Sequence, residues 1–163
     1  MGNSPGRLFT ITNTGNEKYI DACFAIAKEL PQYFTEQAVV TMSQDLAAHL
    51  LYVAVNLKEV AGFVSIKRKN NHVAEISWMA VKPEHQRQGI GSALVDRVAN
   101  ELRSQGISLL EVKTVSEDVE YPPYEKTRRF YKKTGFIHLE TIDPYPGWEM
   151  GTPCAIYVKI LQR

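Results

Sequence analysis

The segment 73–115 constrains the fold of this chain more than any other stretch of the sequence. Its two ends, VAEISWMAV (73–81) and SLLEVKTV (108–115), are rich in the β-branched and aromatic residues that favour strands. A helical pattern lies between them, with apolar residues on one face at Ile90, Leu94, Val98 and Leu102. A strand, a helix and a strand in this order form a right-handed crossover unit, so we expect the two strands to be parallel.

The rest of the chain adds further strands and helices to this crossover unit. LLYVAV (50–55) and VAGFVSIKR (60–68) precede it, and the short turns after each of them predict an antiparallel meander. The other predicted strands lie at 7–12, 136–140 and 155–161. The other predicted helices lie at 16–30, within 35–49 and at 124–134. A mixed α/β sheet of about seven strands with about four helices follows, and we expect a single domain over 1–163.

Composition and charge exclude several classes of protein. The chain is 44% apolar and 23% charged, as in an ordinary globular protein, and its net charge of +1 gives no pull toward nucleic acid or anionic membranes. No apolar run approaches the roughly 20 residues that span a bilayer. The start, MGNSPGRLF, has no signal-peptide core, and Cys23 and Cys154 are isolated thiols. We therefore expect a cytoplasmic protein with reduced cysteines, no membrane or nucleic-acid partner and no metal, since the histidines are scattered as well.

Gly89 and Gly91 lie where the crossover helix must begin. A glycine inside a helix costs about 0.5–1 kcal/mol relative to alanine, so the pair needs a reason. A helix start exposes unpaired N–H groups and carries roughly half a positive charge from the helix dipole. Glycines at this point let an anion approach the backbone without meeting a Cβ atom, which favours phosphate groups.

Two common phosphate-binding motifs do not fit this segment. The nucleoside-triphosphate loop ends in Gly-Lys-Ser/Thr, whereas Gly91 is followed by Ser92 and an alanine. The dinucleotide motif needs a third glycine, and Leu94 occupies that position. It also needs its glycines close to the end of the strand, but seven residues separate Val81 from Gly89.

A third motif fits. Gln86-Arg87-Gln88-Gly89-Ile90-Gly91 resembles the Gln/Arg-x-x-Gly-x-Gly/Ala signature of the GNAT N-acetyltransferases, which also follows a strand and opens a helix. The predicted order of strands and helices resembles the fold of that family over most of the chain. The resemblance implies a sheet whose central parallel strands splay apart. It also implies that acetyl-coenzyme A binds with its pyrophosphate on the amides of residues 87–92, from Arg87 to Ser92.

KTRRFYKKTGF (126–136) resembles the second signature of the family, a helix with a tyrosine followed by a Gly-Phe pair that leads into a strand. Here the tyrosine is Tyr131. Many members have Asn seven residues before the tyrosine and Ala four before it, and this chain has Tyr124 and Thr127 instead. The asparagine that contacts the pantetheine arm in those members is therefore absent here. Thr127 still shares a helix face with Tyr131.

The resemblance also implies the rest of the coenzyme site. Backbone groups of Met79, Ala80 and Val81 would pair with the pantetheine arm and polarise the thioester carbonyl. Basic side chains could meet the phosphates of coenzyme A, and the candidates are Arg87, Arg128, Arg129, Lys132 and Lys133. Exposed basic residues on a helix are usually only solvated, so we favour Arg87.

Glu75 is the first candidate for the general base. A free alkyl amine has a pKa near 10.4 and must lose a proton before it attacks a thioester. Glu75 precedes Gln86 by eleven residues, the offset of the catalytic glutamate in the histone-acetylating branch of the family. Glu111, the acidic loop 116–121 and an ordered water chain are the alternatives, and Glu75 could also be a structural carboxylate.

Tyr131 is the candidate general acid. A phenol with a pKa near 10 can donate a proton to a leaving thiolate whose thiol titrates near 8–9. The alternative for Tyr131 is a tyrosine of the core on an amphipathic helix. The Lys-Lys-Thr-Gly-Phe sequence that follows it favours the functional interpretation.

The acceptor pocket is predicted in the loops 31–36 and 141–152. Tyr33, Phe34 and Trp148, with Tyr145, offer aromatic walls, and Glu36, with Asp143 and Glu149, offers negative charge. Such a pocket would suit a cationic amine of a small molecule, a peptide or a protein. The sequence thus predicts an acetyl-coenzyme A-dependent N-acetyltransferase that acts by direct attack in a ternary complex. The alternative is a non-catalytic acyl-coenzyme A-binding module, and a homodimer and a longer acyl group both stay open.

Overall fold

A computed structural model describes residues 9–13, 15, 17–57 and 59–162 of the protein. The strands are β1 (Thr10–Asn13), β2 (Leu50–Asn56), β3 (Glu59–Arg68), β4 (Val73–Val81), β5 (Leu109–Val115), β6 (Ile137–Ile142) and β7 (Cys154–Ile160). The helices are α1 (Glu17–Lys28), α2 (Glu36–Ala48), α3 (Ile90–Ser104) and α4 (Pro122–Lys133). A short 3-10 helix (Pro83–His85) precedes α3. Every predicted helix and strand is present, apart from the part of the predicted 7–12 strand that lies outside the described residues.

Several boundaries differ by one or two residues from the sequence-based expectation, and two of these differences lie near the candidate site. Helix α4 begins at Pro122, two residues early, because proline fits the first turn of a helix, where an N–H has no partner in the helix. Strand β6 runs on to Ile142, so the predicted 141–152 loop begins only at residue 143. Gly106 ends α3 as predicted, with a φ of 82° that side chains other than glycine rarely adopt.

The strands form one seven-stranded mixed sheet in the order β1-β2-β3-β4-β5-β7-β6. Strands β4 and β5 are parallel, which confirms the crossover. Their pairing runs from Val73 opposite Leu109 to Ile76 opposite Val112, and β4 then continues to Val81. The fold is that of a mixed α/β protein with a central parallel pair.

The chain divides into two compact units, and the division falls within β3, β4 and α3. Unit 1 comprises the described residues up to Ile66 and Trp78–Val98. Strands β1, β2 and β3 pair antiparallel in sequence within it. Its core joins α1 and α2 to the strands through apolar residues that include Cys23, Ile26, Met42, Leu46 and Phe63.

Unit 2 comprises Lys67–Ser77 and the described residues from Ala99 onward. Strand β7 pairs antiparallel with both β5 and β6. Tyr131 of α4 packs edge-on against Phe136, with the ring centroids 5.3 Å apart. No helix in the described ranges has both the length and the apolar character that crossing a membrane requires.

Candidate active site

The segment between β4 and α3 is held by its own side chains. Gln86 donates from Nε2 to the carbonyl oxygen of Val81 at 3.1 Å, which ties the segment to the end of β4. Gln88 donates from Nε2 to the carbonyl oxygen of Glu84 at 3.3 Å. The two glutamines of the signature therefore shape the backbone of this segment.

Two residues of this segment have a left-handed backbone. Gly89 has a φ of 80°, and a Cβ atom built there would meet nothing within 4 Å. Arg87 has a φ of 62°, which is strained for a residue with a side chain. Gly91 lies inside the first turn of α3, so the left-handed conformation explains Gly89 but not Gly91. Space beside Gly89 and strain at Arg87 together indicate a segment shaped for a ligand.

The N–H groups of residues 87–92 donate to no other group in the part of the chain that the structure describes. The first hydrogen bond of α3 is donated by Ala93, to the carbonyl oxygen of Gly89 at 3.0 Å. A consecutive run of unpaired amides at the start of a 15-residue helix is an anion-binding surface.

Charged side chains hold the base of this segment. Lys82 Nζ lies 2.9 Å from Glu59 and 3.0 Å from Glu84, and His85 Nε2 lies 2.9 Å from Glu59. The hydrogen bonds of His85 and Lys82 lower the pKa of Glu59, and the bonds to both glutamates raise the pKa of Lys82. His85 thus has a structural partner.

Glu59, Glu84 and His85 also bring possible metal ligands within 4.8 Å of one another. The ammonium group of Lys82 already lies between the two carboxylates. The arrangement is therefore accounted for as an ion-pair network without a metal ion.

Glu75 lies in a second charged cluster. Glu75 and Glu111 are opposite each other in the parallel register, so their carboxylates share one face of the sheet. Lys113 Nζ bridges them, 2.9 Å from Glu75 Oε1 and 3.5 Å from Glu111 Oε1. Lys69 Nζ lies 3.0 Å from Glu111 Oε2 and 4.0 Å from Glu75 Oε2. The candidate base is therefore part of an alternating network of two carboxylates and two ammonium groups.

Tyr131 is almost completely buried, at 7% exposure. Burial raises the pKa of its phenol above the usual value of about 10. Tyr131 would therefore keep its proton at any working pH. It can donate a hydrogen bond to a leaving thiolate, although full proton transfer from so weak an acid is uphill.

The other predicted residues of α4 make contacts within the protein. Thr127 Oγ1 donates to the carbonyl oxygen of Pro123 at 3.3 Å, one turn earlier in the helix. Arg128 is buried, and its Nη1 donates to the carbonyl oxygen of Val115 at 2.7 Å. Arg128 is therefore not the solvated residue that the sequence suggested, and it anchors α4 to the end of β5.

The aromatic residues predicted for the acceptor pocket lie in two clusters. In unit 1, Tyr33 and Phe34 form the turn before α2 and pack on the core, and Phe34 lies 6.1 Å from the ring of Trp78. Trp78 Nε1 donates to Asp45 of α2 at 2.7 Å. Glu36 is exposed in the first turn of α2, where the helix dipole favours a carboxylate.

In unit 2, Trp148 packs edge-on against Tyr145 with the ring centroids 5.5 Å apart. Lys113 Nζ lies 5.5 Å from the centroid of the Tyr145 ring. The loop 143–153 is thereby attached to the cluster that contains Glu75.

The acidic loop 116–121, which was an alternative source of the general base, lines a cavity of its own. Its volume is about 760 Å³, and its walls are residues 117–122 and the α4 residues Glu125, Arg128, Arg129 and Lys132. Glu75 is not among the lining residues.

Comparison with protein families decides where the chain belongs. A family model described as the acetyltransferase (GNAT) domain matches residues 47–138, more than half of the 163-residue chain. The chain is a member of the GNAT acetyltransferase family. This confirms the resemblance inferred from the two signatures.

Solved structures show the same GNAT fold. A GNAT-family protein from Desulfovibrio desulfuricans has a TM-score of 0.82 at 19% identity, over 94% of this chain and 99% of that one. The ribosomal-protein-S18-alanine N-acetyltransferase from Escherichia coli has a TM-score of 0.74 at 18% identity, over 95% of each chain. An aminoglycoside 6'-N-acetyltransferase complexed with coenzyme A has a TM-score of 0.70 at 16% identity, over 94% of this chain and 98% of that one. Identities this low establish the fold alone, and no curated protein sequence matches the chain.

Sequence reasoning missed three residues of this GNAT site. Lys69 and Lys113 neutralise the two glutamates, and Trp78 links the turn before α2 to β4. Lys113 follows Glu111 by two residues, so strand alternation places both on one face. That spacing was the only available signal for Lys113, and it gives no indication of the partner on β4.

Proposed function

We propose that the protein is an N-acetyltransferase that moves an acetyl group from acetyl-coenzyme A to a primary amine. The observation that carries this proposal is the run of unpaired amides at residues 87–92, at the start of α3, in a chain of the GNAT family. In this proposal, the pyrophosphate of acetyl-coenzyme A accepts hydrogen bonds from these amides. The guanidinium group of Arg87 adds a charge contact.

The end of β4 would hold the pantetheine arm. The pairing of β4 with β5 ends at Ile76. The next part of β4 contains Met79, Ala80 and Val81. The carbonyl oxygen of Val81 already accepts from Gln86, so Met79 and Ala80 are the better sources of free backbone groups. Thr127 would contact the arm through its methyl group, since its hydroxyl bonds to its own helix.

Glu75 would draw the proton from the acceptor ammonium, directly or through one water. Its Oε1 accepts a hydrogen bond from Lys113. Its Oε2 lies 4.0 Å from Lys69, beyond hydrogen-bond distance, and so has room for a new donor. The neutral amine then attacks the thioester carbonyl, so that the C–N bond forms and the C–S bond breaks. The departing thiolate accepts a hydrogen bond from Tyr131, and the second proton that the nitrogen loses passes to the thiolate and leaves with it as the thiol.

The acceptor is proposed to be a cationic amine. Each aromatic cluster is a candidate contact by itself: Tyr33 and Phe34 in unit 1, with Glu36 as a source of negative charge, and Trp148 in unit 2. The named activities of the two similar N-acetyltransferases differ, one concerning an alanine of a ribosomal protein and the other an aminoglycoside. Both a small molecule and a peptide or protein amine are therefore tested as acceptors.

The test is a broad panel of amines incubated with acetyl-coenzyme A, with acetylated product detected by mass spectrometry. We expect at least one amine to be acetylated, and rates at varied concentrations of both substrates to fit a ternary complex. Tight binding of acetyl-coenzyme A without acetylation of any amine would favour the non-catalytic acyl-coenzyme A-binding module. Failure to bind coenzyme A would contradict both functions.

A further inference from the structure

Glu75 and Glu111 form an unusual pair for two neighbouring strands. They are opposite each other in the β4–β5 register, and each side chain is only 12% exposed. Like charges directly opposite each other on a sheet destabilise it, and more so when solvent is largely excluded. The pair therefore needs a cation between its carboxylates.

Lys113 is better placed than Lys69 to be that cation, because its ammonium group is near both carboxylates. Lys113 is 18% exposed and lies within 3.5 Å of both carboxylates, whereas Lys69 is 36% exposed and reaches only Glu111 at hydrogen-bond distance. Lys113 is also the one of the two whose ammonium lies against the ring of Tyr145. One ammonium group thus touches the candidate base and the loop that carries Trp148.

We propose that Lys113 is a positioning residue for acetyl transfer, which orients Glu75 and docks the loop 143–153 through Tyr145. This inference rests on the proposed function, in which Glu75 is the base. The hydrogen bond to Lys113 fixes one oxygen of Glu75 and leaves the other, Oε2, 4.0 Å from Lys69 and able to accept from a new donor. The contact with Tyr145 fixes the aromatic pair that would line the acceptor pocket.

The charge state of Lys113 supports this role. Burial lowers the pKa of Lys113, but hydrogen bonds to Glu75 and Tyr145 and the charges of both glutamates outweigh it and raise the pKa. Lys113 is therefore an ammonium at any working pH. The other groups that act on the cluster are Lys69 and Cys154, and burial raises the pKa of that thiol to about 11, so it stays neutral.

The test compares Lys113→Met with Lys113→Arg and with Lys159→Met. Lys159 is a matched control, because its Nζ also makes a partly buried polar contact in unit 2, to the carbonyl oxygen of Thr134 at 2.6 Å. Lys113→Met removes the positive charge and the hydrogen bond beside the candidate base. We therefore expect the acid limb of the rate–pH profile to move to higher pH in this variant. The KM for the acceptor should rise roughly two- to thirtyfold, from loss of the cation–aromatic contact.

Lys113→Arg should keep both values near those of the parent, because its charge is retained. A merely structural lysine behaves differently: Lys113→Met would then lower the melting temperature and reduce the rate by one factor at every pH. An unmoved acid limb and an unchanged acceptor KM in a folded Lys113→Met protein overturn the inference.

Trp148 gives a readout that does not depend on catalysis. Its emission spectrum should change in Lys113→Met and not in Lys159→Met, because Tyr145 loses its contact with the ammonium. If Glu75→Gln shows that Glu75 is not the base, the proposed function loses that step, and the fluorescence alone decides whether Lys113 docks the loop. Identical emission from the parent and Lys113→Met overturns the docking.

Discussion

Two regions of this protein carry its candidate binding groups, and one uses backbone groups while the other uses charged side chains. The anion-binding segment, residues 82–92, presents backbone N–H groups in an order set by local conformation. The carboxylate cluster around Glu75 presents side chains that β-sheet register brings together from β4 and β5. In the proposed function, the first binds phosphate mainly through the backbone, while the second depends on the identity of each side chain.

This difference indicates where specificity for the acceptor can vary. In the proposed function, backbone amides would bind coenzyme A in a fixed way, and the residues that shape them, such as Gly89, lie close together in the sequence. The cluster around Glu75 combines a candidate base, two lysines and the Tyr145–Trp148 pair. Changes there would alter the acceptor without disturbing coenzyme binding.

The largest expected effect is that of Glu75→Gln at low pH. A general base contributes about 10²–10⁴-fold, and its contribution is greatest where the acceptor is an ammonium ion. The loss should shrink as the pH rises toward the pKa of the amine, near 10.4, because the acceptor then arrives neutral. The measurement is the rate–pH profile of the variant and the parent with one amine.

Glu111→Gln is the matched control for that variant. Glu111 is opposite Glu75 in the sheet, has the same 12% exposure and contacts the same two lysines. Its rate should not show the loss that grows toward low pH in Glu75→Gln. A pH-dependent loss in Glu111→Gln but not in Glu75→Gln would transfer the base assignment to Glu111, and parallel profiles for both would favour an ordered water.

Gly89→Val tests the backbone region. A valine at a φ of 80° is strained and brings a branched Cβ into the space beside the unpaired amides. We expect coenzyme A to bind about a hundredfold more weakly, which corresponds to about 2.7 kcal/mol, as measured by calorimetry. Gly106→Val is the control, since Gly106 has a φ of 82° and similarly open space at the other end of α3. Equal losses of affinity in the two variants would mean that backbone strain, and not the phosphate site, is responsible.

The same comparison explains which structural features could be predicted from the sequence and which could not. A helix start with unpaired amides at residues 87–92 could be predicted because it depends on a local signature. The network of Glu75 with Lys113 could not, because register and the contact with Tyr145 depend on residues distant in the sequence. Arg128 was misjudged for the same reason, since helical spacing does not reveal its bond to the end of β5. The order of helices and strands was predictable throughout the described residues from periodicity and turn residues.

Tyr131→Phe should reduce turnover roughly tenfold to a hundredfold, near the low end for an acid catalyst, because burial makes Tyr131 a weak acid. Affinity for coenzyme A should stay nearly unchanged, since only one hydroxyl is removed. Tyr157→Phe is the control, because Tyr157 is also buried, on β7, and burial likewise raises its pKa. Turnover within about threefold of the parent in Tyr131→Phe would assign thiolate protonation to water.

The smallest expected effects are those of Arg87→Gly. Glycine relieves the left-handed strain at φ 62°, which is worth about 1–2 kcal/mol, so the melting temperature should rise by a few degrees. Loss of the guanidinium group should weaken coenzyme A binding several-fold. A lower melting temperature with unchanged affinity would remove Arg87 from the site.

The central claim, that acetyl-coenzyme A binds to the backbone at the start of α3, is tested most directly by following backbone amides in a nuclear magnetic resonance titration. Acetyl-coenzyme A is added to ¹⁵N-labelled protein, and the shift of each N–H resonance is recorded. We expect the amides of residues 87–92 to move most, because they have no other partner in the described chain. If these resonances stay in place while those of another region move, such as residues 117–122 around the separate cavity, the account is contradicted.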